Sequence, residues 1–217
     1  LTAISGYAET LMGLEELDPA HRSFAGIIHK HSQALGRVIA DLPALARIED
    51  TREKIPLAPV LPAQPLHEAM RLCADQAEKK NLRFTVDVED DIAIKGNAAL
   101  LAQVFRNLLE NACRYSPEGG EIAVTGTVKG KEMLFSVKDR GPGIPREELT
   151  RIFERLYQVK KQRNSGSSGI GLAIAKHIVE RHGGTIWAES PCQDFATAML
   201  FTIPLAENAA PIPGVTS

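Results

Sequence analysis

The apolar positions of this chain change period part-way along. Leu1, Ile4, Leu11 and Leu14 recur at helical spacing with small residues between them, which predicts a helix over about 1–17. Asp18-Pro19 marks a turn and a fresh start, since proline suits the first helical position. From there to about Asp50, Phe24, Ile27, Ile28, Leu35, Val38, Leu42, Leu45 and Ile48 keep the same spacing. Pro43 is expected to interrupt and kink this second helix. A hairpin of two helices cannot cover its own apolar stripe, so a second copy is expected to complete a four-helix bundle.

Pro56, Pro59, Pro62 and Pro65 mark residues 51–65 as a linker with an extended piece. A helix is predicted near 66–80, then the alternating strand LRFTVDV over 82–88 and a short strand over 92–96. A helix follows over about 97–115. EIAVTGTV and KEMLFSVKD read as two strands around a Lys129-Gly130 turn, GIGLAIAKHIVERHGG as a helix with a glycine stop, and TIWAES and TAMLFTIPL as strands. Helices mixed with antiparallel strands indicate an α/β sandwich of one sheet and one helical layer. The fold class is therefore α+β: a helical hairpin forming a dimeric bundle, then an α/β sandwich. The domains are set at 1–54 (dimerisation hairpin), 55–207 (sandwich) and 208–217 (a tail expected to be disordered).

Composition removes several functions. Twenty-five Lys and Arg stand against 27 Asp and Glu, which gives no electrostatic case for nucleic-acid binding. The three cysteines, Cys73, Cys113 and Cys192, are odd in number and widely spaced, so a disulfide framework or zinc cluster is not expected and a reducing, cytoplasmic setting is. No apolar run approaches the roughly 20 residues that span a bilayer, so this segment is expected to make no membrane contact. The first residue, Leu1, falls inside an apolar helical pattern, and the chain reads as a piece of something longer.

The chemistry concentrates in NLLENACRYSP, 107–117. At about 100° per residue, Asn107 and Asn111 lie about 40° apart around a helix, with Arg114 and Tyr115 on the same side. Leu101, Phe105, Leu108 and Ala112 occupy the neighbouring face. Such a helix packs on a sheet with one side and shows the other to solvent or to a ligand. Two amide oxygens one turn apart can hold Mg²⁺ without adding negative charge. Arg114 can meet a phosphate, and Tyr115 can lie against a base or ribose. DRGPGIP, 139–145, places an acceptor carboxylate at a strand end before a glycine turn. GSSGIGLAI, 166–174, places glycines and free amides at a helix start, an anion site. Each element alone is weak; their order and spacing together are specific.

These segments resemble the cytoplasmic kinase core of sensor histidine kinases, with the GHKL type of ATP-binding domain. NLLENACRYSP resembles that family's N box, DRGPGIP its G1 box, FERLYQ (153–158) its F box and GSSGIGLAI its G2 box. LTAISGYAETL resembles the stretch immediately after the H-E-L-R-T-P motif of its first dimerisation helix. The resemblance implies that Asn107 and Asn111 hold Mg²⁺, that Arg114 stands where a phosphate-binding lysine is usual, and that Tyr115 stacks near adenine. Asp139 would accept from the adenine amino group, with Gly141, Gly143 and Ile144 shaping the base pocket. Ser168, Gly169, Ile170, Gly171 and Leu172 would form the phosphate-side wall and helix. Residues 146–168 would form an ATP lid anchored by Phe153, with Tyr157 in the nucleotide site. It further implies ATP as phosphoryl donor, a homodimer through residues 1–50, a response-regulator receiver domain docking near Ala3 to Leu11, and a full-length parent anchored in the bacterial inner membrane.

The chain departs from the pattern in three places. Gln158 stands where an arginine often follows the F-box aromatic, so a γ-phosphate contact is missing or comes from Lys160, Lys161 or Arg163. The final G-x-G-T motif is reduced to FATAML, 195–200, and that loop is expected to lie farther from the ligand. The acceptor histidine is expected just upstream of Leu1, since His21, His29 and His31 lack its flanking residues. Two alternatives remain: a GHKL-type ATPase and a non-catalytic nucleotide-binding scaffold. The ATPases carry a general-base glutamate at the position of Asn107, and an amide cannot take a proton. Glu110 is about 100° from Asn111 around the helix.

Overall fold

The computed structural model describes residues 2–14, 17–49, 55–159, 168–192 and 194–206. Two helices come first, α1 (Thr2–Met12) and α2 (Pro19–Glu49). The turn between them is set as its sequence predicts: the Asp18 carboxylate accepts from the amide of Ala20 at 2.8 Å, and α2 begins at Pro19. The two helices pack together over the small residues Ala8 and Ala25, both buried, and His29 Nδ1 lies 3.1 Å from Ser5 Oγ. Pro43 does not interrupt α2, which runs through it. A single missing amide removes one rung of the hydrogen-bond ladder, and a long helix spans that gap. The stripe positions Val38, Leu42, Leu45 and Ile48 lie outside the residues whose side chains are described.

The remainder builds a sheet covered by helices. The elements run β1 (Ala58–Val60), α3 (Ala63–Glu78), β2 (Arg83–Val88), β3 (Ile94–Gly96), α4 (Ala98–Tyr115), β4 (Glu121–Lys129), β5 (Glu132–Asp139), two 3₁₀ turns (Arg146–Glu148 and Arg151–Phe153), α5 (Gly171–Arg181), β6 (Ile186–Glu189) and β7 (Thr197–Pro204). The expected linker folds further than its prolines imply. β1 pairs antiparallel with β3 in a separate two-stranded sheet, and α3 starts at Ala63, so Pro65 sits in its first turn, where a missing amide costs nothing.

The main sheet has strand order β2-β4-β5-β7-β6. It is not wholly antiparallel: β2 pairs parallel to β4, Arg83 opposite Glu121. A parallel pair needs a crossover, and α4 supplies it. Met133, Phe135, Val137 and Asp139 on β5 alternate toward the helices, as do Thr197, Met199, Phe201 and Ile203 on β7. Phe105 of α4 seals helix to sheet, with ring centroids 5.3 Å from both Phe135 and Phe201, which stack on each other at 4.8 Å. Each fully buried phenylalanine contributes about 2–3 kcal/mol. His182 ties the end of α5 to the start of α4: its Nε2 accepts from the amide of Asn97 at 3.0 Å while Nδ1 donates to the carbonyl of Ile178 at 2.7 Å. That pattern requires the neutral ring, and burial holds its pKa below the usual histidine value. Cys73 and Cys113 are buried free thiols pushed up by burial to about 12 and about 11, out of reach of thiolate chemistry.

Candidate nucleotide site

Where α4 ends above the sheet, the helical layer leaves a cavity of about 300 Å³. Its floor is the last core-facing stretch of two neighbouring strands, Val137 and Asp139 on β5 with Thr197 and Met199 on β7. The register sets Asp139 directly opposite Thr197, so strand period 2 carries the apolar core face into a polar end just where helix cover stops.

One wall is the polar stripe of α4: Asn107, Asn111, Arg114 and Tyr115 all border the cavity. Asn107 is only 6% exposed. Its amide nitrogen donates to the carbonyl of Gly171 at 2.9 Å, which ties the N box to the start of α5 and leaves the amide oxygen as the group able to meet a cation. With the Asn111 amide it makes a hard, uncharged oxygen pair, the donor type that suits Mg²⁺. The last turn of α4 is held by Lys80, whose ammonium donates to the carbonyls of Cys113, Arg114 and Ser116 at 3.0, 2.6 and 2.9 Å. A cation on orphan carbonyls at the negative helix end contributes up to about 2 kcal/mol. It fixes the turn that displays Arg114 and Tyr115. Nothing local in the sequence near Lys80 signals this role.

The opposite side is built from Pro142, Gly143, Ile144, Tyr157, Gln158 and the residues that open α5. Asp139 Oδ1 accepts from the amide of Gly141 at 2.8 Å. Burial nevertheless pushes its carboxyl up to about 6, the Gly141 bond pulling the other way. Gly141 itself does not border the cavity. A Cβ there would stand 2.7 Å from Asp139 Oδ1 and 3.0 Å from the Tyr115 carbonyl, so this glycine lets the turn close over the carboxylate rather than over a ligand. Ile170 likewise points into the core, 2% exposed, while Ser168, Gly169, Gly171 and Leu172 border the cavity. Gly169 has φ +69°, and an added Cβ would meet the Leu156 and Tyr157 backbone at 2.9 Å. With Leu156 N donating to its carbonyl at 2.8 Å, Gly169 packs backbone to backbone against Leu156 and Tyr157.

The expected lid of 146–168 is therefore in part fixed structure. Its first third forms the two 3₁₀ turns, with Ile152 and Phe153 buried in the core, because those apolar side chains have α5 to pack on. Arg151 lies over the Tyr157 ring at 4.4 Å. Arg163, Lys160 and Lys161 lie outside the described residues. FATAML does not lie farther from the cavity: its Thr197 and Met199 floor it, because β5–β7 pairing rather than a glycine motif places them. Glu110 also borders the cavity, its carboxylate 3.7 Å from Arg106 Nε.

Residues 96–207 match the histidine kinase-, DNA gyrase B-, and HSP90-like ATPase family. The chain belongs to that family. Within it, the chain is 33% identical over 223 residues to the sensor histidine kinase WalK of Bacillus subtilis, a match that covers 96% of this chain and 35% of WalK. It is 30% identical over 213 residues to the sensor-like histidine kinase SenX3 of Mycolicibacterium smegmatis, covering 96% of this chain and 54% of SenX3. It thus spans a third to a half of these curated relatives. Among solved structures it is similar to full-length ShkA in complex with AMPPNP, with TM-score 0.71 and 26% identity over 96% of this chain and 44% of that one. It is also similar to the catalytic domain of the histidine kinase ThkA, with TM-score 0.61 and 26% identity over 69% of this chain and 97% of that one. The expected GHKL-type sandwich is therefore the observed one.

Proposed function

We propose that this chain is the kinase core of a two-component sensor histidine kinase, which passes the γ-phosphoryl group of ATP to a histidine and from there to a response-regulator aspartate. The observation that carries the reading is the cavity between the polar stripe of α4 and the amide-rich start of α5, with the buried Asp139 at its far end. Asp139 and Thr197 would take the base with Tyr115 stacked near it, and Arg114 with the first amides of α5 the phosphates. Mg²⁺ between Asn107 and Asn111 would neutralise charge on the phosphates. The chain's own part is positioning. It holds the triphosphate in line for a histidine nitrogen, which forms the P–N bond as the bond to the ADP oxygen breaks.

Three of the described histidines are poorly placed as acceptor: His29 is engaged with Ser5, His182 is buried with both nitrogens bonded, and His21 stands 3.8 Å from Asp18 at the hairpin turn. The acceptor is proposed to lie outside these 217 residues. Incubated with γ-labelled ATP, the chain should bind nucleotide without labelling itself, while the longer protein acquires acid-labile, alkali-stable phosphate. Robust acid-labile labelling of the 217-residue chain overturns this reading.

ATP hydrolysis is the second reading, and one observation favours it: Glu110 borders the cavity. Its carboxylate faces Arg106, and position 107 offers an amide. Phosphate release by the isolated chain separates the two. The hairpin is proposed to dimerise. Ile4, Tyr7, Phe24, Ile27 and Ile28 are 49–74% exposed along it, a stripe that water does not favour leaving open. Sedimentation at micromolar concentration should show a dimer, and a monomer there removes the proposal. The receiver domain is proposed to dock on α1. Among the described residues no helix is long and apolar enough to cross a membrane; the cytoplasmic placement and the membrane-anchored parent are part of the same proposal.

A further inference from the structure

The loop Ser190–Ala196, between β6 and β7, carries a hydroxyl that none of the nucleotide motifs includes. Ser190 Oγ accepts from the amide of Ile144 at 2.9 Å and donates to the carbonyl of Ala196 at 2.6 Å. Both directions are dictated by the partners, since an amide only donates and a carbonyl only accepts. The amide of Ala196 in turn donates to the carbonyl of Asp139 at 2.9 Å. Asp139, Ala196, Ser190 and Ile144 thus form one continuous hydrogen-bonded path, and Thr197 follows Ala196 directly. Gly143 has φ +75°, and a Cβ added to it would stand 3.1 Å from Ser190 Oγ. The glycine of the base-side turn is the point at which that turn presses on this serine.

We propose that Ser190 is a positioning residue for the base end of the cavity: its hydroxyl holds the Gly143–Ile144 backbone at a set separation from Asp139 and Thr197, and so sets discrimination between adenine and other bases. The inference rests on the nucleotide reading of the cavity. Without the hydroxyl, the Ile144 amide and the Ala196 carbonyl each lose a partner, and the turn can relax away from the β7 edge. The phosphate end, formed by α4 and α5, is built from other bonds and should not respond.

The test compares the parent chain with Ser190→Ala and Ser190→Thr. Calorimetry would use ADP, GDP and tripolyphosphate, and amide exchange would be followed by NMR. For Ser190→Ala, ADP affinity should fall on the order of tenfold, the worth of about one net hydrogen bond. The ADP-to-GDP ratio should narrow, tripolyphosphate binding should stay constant, and exchange at the Ile144 amide should accelerate. Ser190→Thr, which keeps the hydroxyl, should restore the ratio. A merely structural serine would shift all three ligands together or none. An unchanged ADP-to-GDP ratio in Ser190→Ala, with ADP still bound by the parent, overturns this inference alone. Failure of the parent to bind ADP overturns the nucleotide reading and this inference with it. Should Ser190→Ala not fold, the parent still decides: an Ile144 amide that exchanges as fast as an open loop overturns the proposal.

Discussion

Asn111→Ala is expected to abolish Mg²⁺-dependent ATP binding while leaving the fold intact. The residue borders the cavity one helical turn from Asn107. It also lies off the apolar face that packs Phe105 on the sheet. Removal should therefore cost little stability, as for a partly exposed polar residue. The binding cost should be large. Asn107, whose amide nitrogen is committed to Gly171, would be left with its one amide oxygen as the sole ligand of the pair. Loss of one of few cation ligands, with the phosphate charge left uncompensated, should lower affinity about a hundredfold or more. Calorimetry with ATP, with and without Mg²⁺, checks this, and a thermal melt checks the fold. Unchanged Mg²⁺-dependent affinity would sink the assignment of the polar stripe.

Asp139→Asn is expected to stabilise the empty protein above about pH 6 and to weaken nucleotide binding. The Asp139 carboxyl is held at about 6 when folded, against 3.8 for an ordinary aspartate. The folded state therefore binds a proton more tightly than the unfolded chain. The resulting stabilisation is complete below the unfolded value and is lost as pH rises through the folded one. At neutral pH the protein carries a buried, ionised carboxylate at a cost of about 3 kcal/mol. An uncharged amide relieves that cost, so the melting temperature should rise. The Gly141 amide already donates to Oδ1, so an asparagine oxygen would keep that bond and turn its NH₂ toward the cavity. Two donors would then face each other where the base amine belongs. Affinity for ADP should fall by about ten- to a hundredfold, the worth of a hydrogen bond to a charged group. In the parent, ADP affinity should also fall as pH drops through about 6. Referencing each point to Asp139→Asn, which does not titrate there, separates this from the phosphates. A variant that is less stable at neutral pH and binds ADP normally would refute the account.

The destabilising carboxylate is consistent with a site kept for function rather than for folding. The same holds for the polar stripe on α4, where two amides, a guanidinium and a phenol replace residues that could have extended the core.

The hairpin, the run of strands, α4 with its polar stripe, and the three motif segments were all legible from local pattern. Helical period put Asn107, Asn111, Arg114 and Tyr115 on one side, and a neighbouring apolar face had to pack on something. These are properties of neighbours in the chain, and they survive without knowledge of the rest. Other features depended on partners far away in sequence. The parallel pairing of β2 with β4, the descent of Thr197 and Met199 onto the cavity floor, and the triple carbonyl grip of Lys80 are of this kind. So are the link from Ser190 to Ile144 and the burial that shifts Asp139. A strand's alternation says which residues share a face but not which strand lies beside it or in what register. A lysine in a polar turn looks solvated until a helix end arrives within its reach. The glycines divide along the same line. Their presence near the site was plain, but only the packed structure shows that Gly141 yields to Asp139 and Gly169 to the Leu156 backbone, because a missing Cβ acquires a meaning only from the atoms it would have touched.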